Sequence, residues 1–416
     1  MRTVHVAGVG MTAFGRHPDS DVYELIEQAV QRALLDAGAA LEQVQWAAYG
    51  TVTHGWLHGQ ICVPGPIAMR RLGLQRIPVF TVENACASGS SAFHLAWQAL
   101  QAGACDIALA VGADKMVVPD KARAFAVFEA GWDVQTAQAN QARLIELGHG
   151  IEPPPGTMST KPYSVFMDVY AAFCRDHMRR HGTTQRQIAA VAAKNHTHSV
   201  HNPLSQYRQA YTVEEVLAAP PIAYPLTLPM CAPVSDGAAA ALLCTDAGLQ
   251  RLAGDARRAV RVRASVVQVG EARTADEPQR SIAAHAARRA YEQAGLGPQD
   301  VHLAEVHDAT AMGELLNVEA LGLVPLGQSG PAVERGELSI GGRLPVNPSG
   351  GLESKGHPIG ATGLGQVHEL VMQLRGEAGA RQVEGARLAI QENGGGLIGI
   401  EEAVAAVQIF ERAAIH

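Results

Sequence analysis

The sequence predicts an α/β protein built from two related halves, with a mostly helical segment inserted into the first. Three observations carry this. Short β-branched runs alternate with a glycine and a helical stretch along most of the chain. A helix-to-strand unit recurs at a constant offset of 257 residues. Residues 118–232 depart from both patterns, with fewer strand-like runs, more aromatic residues and the run Pro153-Pro154-Pro155.

Taken in order, residues 3–9 alternate apolar and small and are broken by glycine, which suits a first strand better than a signal peptide. Residues 21–37 read as a helix closed by Gly38, and 44–52 as the next strand. The unit Arg32-Ala33-x-x-x-Ala37-Gly38, followed by Val44 and Ala47, returns as Arg289-Ala290-x-x-x-Ala294-Gly295, followed by Val301 and Ala304. This assigns 1–117 and 233–257 to a first half, 118–232 to an inserted loop domain and 258–416 to a second half. The insert is too long for a structureless loop, so it is expected to carry its own helices, one over 185–198, and to cover a site.

Composition narrows the function classes. With 47% apolar and 18% charged residues in 416, the chain builds extensive cores and is not disordered. A net charge of −7 without a basic run gives no electrostatic grip on nucleic acid. No apolar run approaches the ~20 residues of a membrane span. Cysteines at 62, 86, 105, 174, 231 and 244 have neither disulfide-scaffold density nor C-x-x-C spacing, so a reducing, cytoplasmic setting is expected.

The sharpest local signal is a strand over 77–82 running into Asn84-Ala85-Cys86-Ala87-Ser88-Gly89 and then a helix with Phe93, Ala96, Ala99 and Leu100 on one face. A thiol at such a junction meets the positive end of the helix and its free N–H groups, which favour thiolate over the usual pKa of ~8.5. Cys86 is the candidate nucleophile. A second signal is the glycine-rich run from Asn347 to Gly363, with His357 fixed by Pro358 just ahead of a helix over 364–374. His357 is a candidate general base. Two more clusters sit where open α/β sheets bind ligands, at strand ends. His307-Asp308 precedes a helix over 313–321, and Glu392-Asn393-Gly394-Gly395-Gly396 follows a strand over 386–390. Neither phosphate-binding glycine fingerprint is complete, and His196, His198 and His201 lack a matching ligand cluster, so no metal is expected.

Together these blocks resemble the thiolases, in particular the branch of sterol carrier protein thiolases and their bacterial and archaeal relatives. The resemblance runs nearly end to end. It includes the Cys86 turn, Lys194-Asn195-His196-x-His198-Ser199-Val200-x-Asn202-Pro203, Ser235-Asp236-Gly237-Ala238-Ala239-Ala240, His307-Asp308, and Asn347 to Gly363. It implies a duplicated five-layer α/β/α/β/α fold with an inserted loop domain, and a homodimer or dimer of dimers. By the same resemblance Cys86 takes an acyl group from acyl-CoA, His357 activates it, and His307 supports an oxyanion hole. The Cys86 N–H and the Gly395 and Gly396 backbone complete the oxyanion assignment. Coenzyme A and acyl-CoA are then substrates, with no tightly bound cofactor.

One departure stands out. Biosynthetic and degradative thiolases carry a second cysteine in a C-x-G motif, where this chain has Glu392 to Gly396; sterol carrier protein thiolases carry it in H-D-C-F, where this chain has Ala309. A replacement acid/base is expected from His307, His54 or Glu392, in that order. The alternatives are acyl transfer to a carbon nucleophile needing no strong base, or a subunit active only beside a small OB-fold/zinc-ribbon partner. Phe125, Phe128, Trp132, Tyr163, Phe166 and Tyr170 either line an acyl pocket or form the insert's own core.

Overall fold

The computed structural model describes residues 2–413. In the first half, the strands are β1 (Val4–Met11), β2 (Trp46–Gly50), β3 (Val79–Val82), β4 (Ile107–Lys115) and β5 (Asp236–Thr245); in the second, β6 (Val260–Val269), β7 (Leu303–Glu305), β8 (Leu388–Gly395) and β9 (Val404–Glu411). Among the described residues they form one nine-stranded sheet in the order β3-β2-β4-β5-β1-β6-β9-β8-β7.

The duplication is visible in the pairing. In the first half β2 runs parallel to β4, β4 antiparallel to β5, and β5 antiparallel to β1. In the second, β7 is parallel to β8, β8 antiparallel to β9, and β9 antiparallel to β6. A parallel bridge from Ala304 to Val346 stands where β3 lies in the first half. The halves are stitched by a short antiparallel contact, His5 with Arg261 and Val6 with Val260.

The helices repeat as well. α1 (Val22–Ala37) begins with an Asp21–Glu24 capping box and ends at Gly38 with φ 60°; Leu25, Ile26, Ala29, Val30 and Ala33 form its buried stripe. Each large aliphatic side chain on that stripe contributes roughly 1.5–3 kcal/mol. Its counterpart in the second half, over Ile282–Ala294, ends at Gly295 with φ 65°. Both glycines adopt the left-handed conformation that closes a helix, which is why the sequence echo ends on glycine. α2 (Ser88–Gln101) is matched by a helix over Thr362–Arg375. These two share one core with inner-face residues of both halves, such as Val6, Ala110, Phe410 and Leu370. α1 covers the outer face of the first half and Ile282–Ala294 that of the second, which gives the α/β/α/β/α layering.

The insert carries helices over Lys121–Glu129, Ala137–Glu146, Val213–Ala218, and α3 (Phe166–His181) and α4 (Gln185–Ser199). The two second-half helices described above are α5 (Ile282–Ala294) and α7 (Thr362–Arg375), and between them lies α6 (Ala311–Ala320). α3 and α4 share the core of α5 and α6, so this part of the insert is welded to the second half. One strand expectation needs correction. β8 runs to Gly395, so Glu392, Asn393 and Gly394 lie inside the strand and not after it, because the β9 ladder continues to Gly395 opposite Val404.

Candidate active site

Between β3 and α2 the chain makes a strained turn. Ala85 has φ 47°, a left-handed conformation that costs a residue with a Cβ about 1–2 kcal/mol. Ser88 holds the turn: its Oγ accepts from the Asn84 N–H at 2.9 Å and donates to the Ala85 carbonyl at 2.7 Å. Cys86 is thereby presented, half-buried, beside the first turn of α2.

His357 comes from the other half, in the loop before α7. The two meet because their helices cross closely. A Cβ on Gly89 would lie 2.7 Å from the Gly360 carbonyl, and one on Gly363 would overlap Ser90 Oγ, so only glycine permits this approach. The His357 N–H donates to Ser235 Oγ at 2.9 Å. Its Nδ1 lies 2.6 Å from Thr362 Oγ1, whose hydroxyl donates to the Pro358 carbonyl at 3.0 Å. Nδ1 therefore carries the proton, leaving the Nε2 lone pair free.

His307 follows β7. Its N–H donates to Glu392 Oε2 at 3.1 Å, its carbonyl accepts from Asn317 Nδ2 at 3.1 Å, and its Nδ1 lies 3.1 Å from Glu402 Oε1. Its Nε2 is buried and makes no hydrogen bond within the protein. Cys86 Sγ, one ring nitrogen of His307 and one of His357 lie within 4.8 Å of one another.

The two histidines are biased oppositely. Burial, then the neighbouring His307 and Lys355, hold the His357 pKa well below the usual value, so its ring is neutral. Burial also disfavours charge on His307, but Cys86 and Glu402 outweigh it and raise its pKa well above the usual value. A buried imidazole biased toward its neutral form thus faces one biased toward its cation. The trio is also, among the described residues, the group close enough to share a metal ion. An imidazolium offers no lone pair to a metal, so the His307 bias favours proton chemistry there.

A buried ionic layer supports the loops beneath. Lys355 pairs with Glu305 at 3.1 Å and Lys194 with Glu314 at 3.0 Å. Asn195 Nδ2 reaches Asp308, Glu314 and Glu353 at 3.0–3.2 Å. The Lys194-Asn195 block thus fixes the floor and does not touch the reacting atoms.

Not every expected residue arrives. His54 is buried away from the Cys86 cavity, 3.2 Å from the Tyr49 hydroxyl and packed edge-on to Tyr23; burial, then His58, lowers its pKa to about 4. Its candidacy as acid/base fails on position. Glu392 acts one step removed: it accepts from the His307 backbone, and burial, then Glu402, raises its pKa well above the carboxylate range. Gly395 packs against the Cys86 turn, where a Cβ would overlap the Asn84 carbonyl, and Gly396 lines the cavity.

Glu402 is the residue that sequence reasoning missed. Its carboxylate lies over Gly394, where a Cβ would overlap it. Next to it, Glu401 turns the other way, to Arg273 at 2.6 Å and the Ile282 N–H at 3.1 Å at the start of α5. An adjacent acidic pair after a glycine run was the available signal, but spacing does not say which carboxylate turns inward. Cys231 was also missed as a cavity residue. It bridges Thr310 beside Ala309, yet its thiol donates to the Thr227 carbonyl at 3.7 Å, and burial, then Glu353, pushes its pKa well up.

The cavity over Cys86 has a volume of about 560 Å³. Phe125, Phe128, Tyr163, Phe166 and Tyr170 of the insert line it. Trp132 instead stacks on Phe166 at 4.9 Å in a separate core.

Comparison with known proteins identifies the family of the chain. The family described as "Thiolase, N-terminal domain" matches residues 4–216, and "Thiolase C-terminal domain-like" matches residues 264–409. Sterol carrier protein 2 from Homo sapiens is 38% identical over 94% of this chain and 70% of its own length. The acetyl-CoA acetyltransferase of Methanothermobacter thermautotrophicus is 38% identical over 99% of this chain and all (100%) of its own. A solved Ltp2-ChsH2(DUF35) aldolase shares the fold with a TM-score of 0.75 at 21% identity, over 99% of this chain and 98% of that one. The chain belongs to the thiolase family.

Proposed function

We propose that this thiolase-family chain is a CoA-dependent acyltransferase that carries an acyl group on Cys86 and exchanges it between CoA and a 3-ketoacyl-CoA. The observation that carries the reading is the trio: a thiol between a neutral and a cation-biased histidine. In the cleavage direction His357 Nε2 takes the Cys86 proton and the thiolate attacks the 3-keto carbon. The bond between carbons 2 and 3 then breaks. The departing carbanion takes a proton from His307 Nε2 and leaves as acetyl-CoA. CoA next gives its thiol proton to His307 and attacks the Cys86 thioester, which releases acyl-CoA; His357 returns the first proton to Cys86. His307 replaces the missing second thiol, and Glu402 on its Nδ1 keeps it a competent acid.

The Cys86 N–H and the Gly395 and Gly396 backbone form the oxyanion hole in this reading, typically ~3–4 kcal/mol per donor. Support comes from the packing of Gly395 on the Cys86 turn. CoA and acyl-CoA are substrates, with no tightly bound cofactor, and the setting is cytoplasmic lipid or aromatic-acid metabolism; no described helix is long and apolar enough to cross a membrane. A homodimer or dimer of dimers is supported by the free edge of β3, where Phe80 is 51% exposed.

Intact-protein mass after incubation with acetyl-CoA and acetoacetyl-CoA tests the reading: an acyl adduct is expected, and Cys86→Ser abolishes it. In His307→Ala the adduct forms from acetyl-CoA more slowly, because CoA then leaves as an unassisted thiolate, while cleavage of acetoacetyl-CoA, which must protonate a carbanion, falls about 10²–10⁴-fold. Unimpaired cleavage sinks the role of His307. A second reading, activity only beside a small OB-fold/zinc-ribbon partner, is favoured by the likeness to an aldolase solved with a DUF35 protein. An adduct that forms only after that partner is added supports it.

A further inference from the structure

Among the described residues, the buried histidines of the insert, His177, His196 and His198, have both ring nitrogens engaged. His177 sits between Thr183 Oγ1 at 2.8 Å and Glu319 Oε2 at 3.2 Å. His196 lies 3.2 Å from Ser354 Oγ through Nδ1 and 3.3 Å from the Pro229 carbonyl through Nε2. His198 Nδ1 meets the Asn347 carbonyl at 3.0 Å, and its Nε2 accepts from the Ile340 N–H at 3.1 Å. The two histidines at the nucleophile differ. Each spends only Nδ1, on Glu402 Oε1 at 3.1 Å for His307 and on Thr362 Oγ1 at 2.6 Å for His357. That leaves two Nε2 lone-pair positions and one thiol on a shared space, with His307 Nε2 buried and unpartnered.

Such a set has the chemistry of a metal site. Zn²⁺ takes sulfur at about 2.3 Å and imidazole nitrogen at about 2.0–2.1 Å in a tetrahedron, which sets neighbouring ligand atoms roughly 3.3–3.6 Å apart. Cys86 Sγ and the two ring nitrogens already lie within 4.8 Å of one another, and the imidazole centroids are 5.5 Å apart. Side-chain shifts on the order of 1 Å close the set. Glu402 on His307 Nδ1 is the outer carboxylate that orients a metal-bound imidazole. Charge also balances: a Cys86 thiolate and Glu402 carry two negative charges, while burial, then Glu402, pushes Glu392 toward its neutral form. All three ligands line the 560 Å³ cavity, from which a water completes the tetrahedron. Sulfur and imidazole suit Zn²⁺ and not Mg²⁺ or Ca²⁺, which take oxygen.

We infer that Cys86, His307 and His357 form an inhibitory Zn²⁺ site, in which the ion takes the Cys86 thiolate and both Nε2 atoms and blocks the nucleophile. Binding releases the Cys86 thiol proton and the proton on His307 Nε2 to solvent, while Nδ1 keeps its proton toward Glu402. The proton that His307 favours is therefore the competitor; it bridges two groups, whereas the ion joins three. Zn²⁺ and acylation exclude each other, because the metal holds the sulfur lone pair that would attack a carbonyl.

Alkylation tests the site without turnover. Metal-free wild type is treated with iodoacetamide, with and without one equivalent of Zn²⁺, and the labelled cysteines are read by peptide mass. Zn²⁺ is expected to slow labelling of Cys86 roughly tenfold or more, since the bound thiolate is no longer free to react. Exposed Cys62 is expected to react throughout, Mg²⁺ to protect neither, and a chelator to restore Cys86 labelling. Co²⁺ in place of Zn²⁺ reads the ligands: a thiolate-to-Co²⁺ charge-transfer band is expected in the wild type and in Cys62→Ser, and none in Cys86→Ser. In His307→Gln the Co²⁺ affinity is expected to fall by no less than the roughly 10–100-fold that even an outer partner costs. Unprotected Cys86 in the wild type, a result that needs no variant to fold, overturns the inference. So does a band that persists in Cys86→Ser or vanishes in Cys62→Ser, or an unchanged affinity in His307→Gln. None of these readouts uses acyl-CoA, so failure of this site and failure of the acyl-transfer reading are told apart.

Discussion

In the first half of the molecule α2 begins just after Cys86; in the second, its counterpart α7 begins just after His357. The two helices enter the same central layer from equivalent strands, yet their surroundings differ in kind. Around α2 the buried side chains are small or apolar, as in Ser90, Ser91, Ala92 and Phe93. The second half and the insert welded to it bury Lys194, Glu305, Asp308, Glu314, Glu353 and Lys355. A nucleophile needs only a strained turn and a helix end. Two histidines of opposite bias need fixed charges, and most of these lie in the second half and the insert, while the first half buries Asp114 and Asp236. Duplication supplied a pair of converging helix starts, and divergence gave each a different task.

That division can be broken from either side. The largest effect is expected from Lys355→Met, which strands the buried Glu305 carboxylate at a cost of about 3–5 kcal/mol in denaturant unfolding. Burial already pushes the Glu305 pKa up, and without Lys355 it rises further. A raised carboxylate pKa contributes stability below the unfolded value and loses it as pH rises, so the deficit should shrink toward acid pH and grow toward neutral. A deficit independent of pH would refute the account of the floor.

Next is Gly363→Ala, whose Cβ would overlap Ser90 Oγ and crowd Asn393. It separates α2 from α7, and a misplacement on the order of 1 Å should cost about 100-fold in kcat/KM, with the melting transition retained. Full activity would show that the halves need not approach this closely.

Glu402→Gln sharpens the comparison within the second half. Removing the charge that favours the His307 cation lowers the His307 pKa, so the alkaline limb of the kcat/KM profile moves to lower pH, with a drop of roughly tenfold at neutral pH. An unmoved limb would detach Glu402 from the acid. The smallest effect belongs to His54→Gln in the first half: turnover within about twofold, and about 1 kcal/mol of stability from the lost Tyr49 contact.

Much of this was legible in advance for a local reason. The offset of 257 links Gly38 to Gly295 because both close a helix in a left-handed conformation, a demand a sequence records directly. The turns that carry Cys86 and His357 were legible because each stands in a short segment whose neighbours dictate a turn before a helix. His54 misled because a histidine near an expected strand end has the same local look whether it faces the cavity or Tyr49. Glu392 misled by one residue layer, since strand length set by cross-strand pairing decides whether a side chain lies in a loop or a sheet.

By itself the sequence determined the duplicated α/β plan and marked Cys86 and His357 as candidate nucleophile and base, since periodicity, caps and glycine turns are local properties. Tertiary structure alone decided that Glu402 serves His307 while Glu401 serves Arg273, and that Cys231 is tied to a carbonyl. Those depend on residues tens to hundreds apart sharing a low-dielectric space, where burial and the nearest charge set each proton's place.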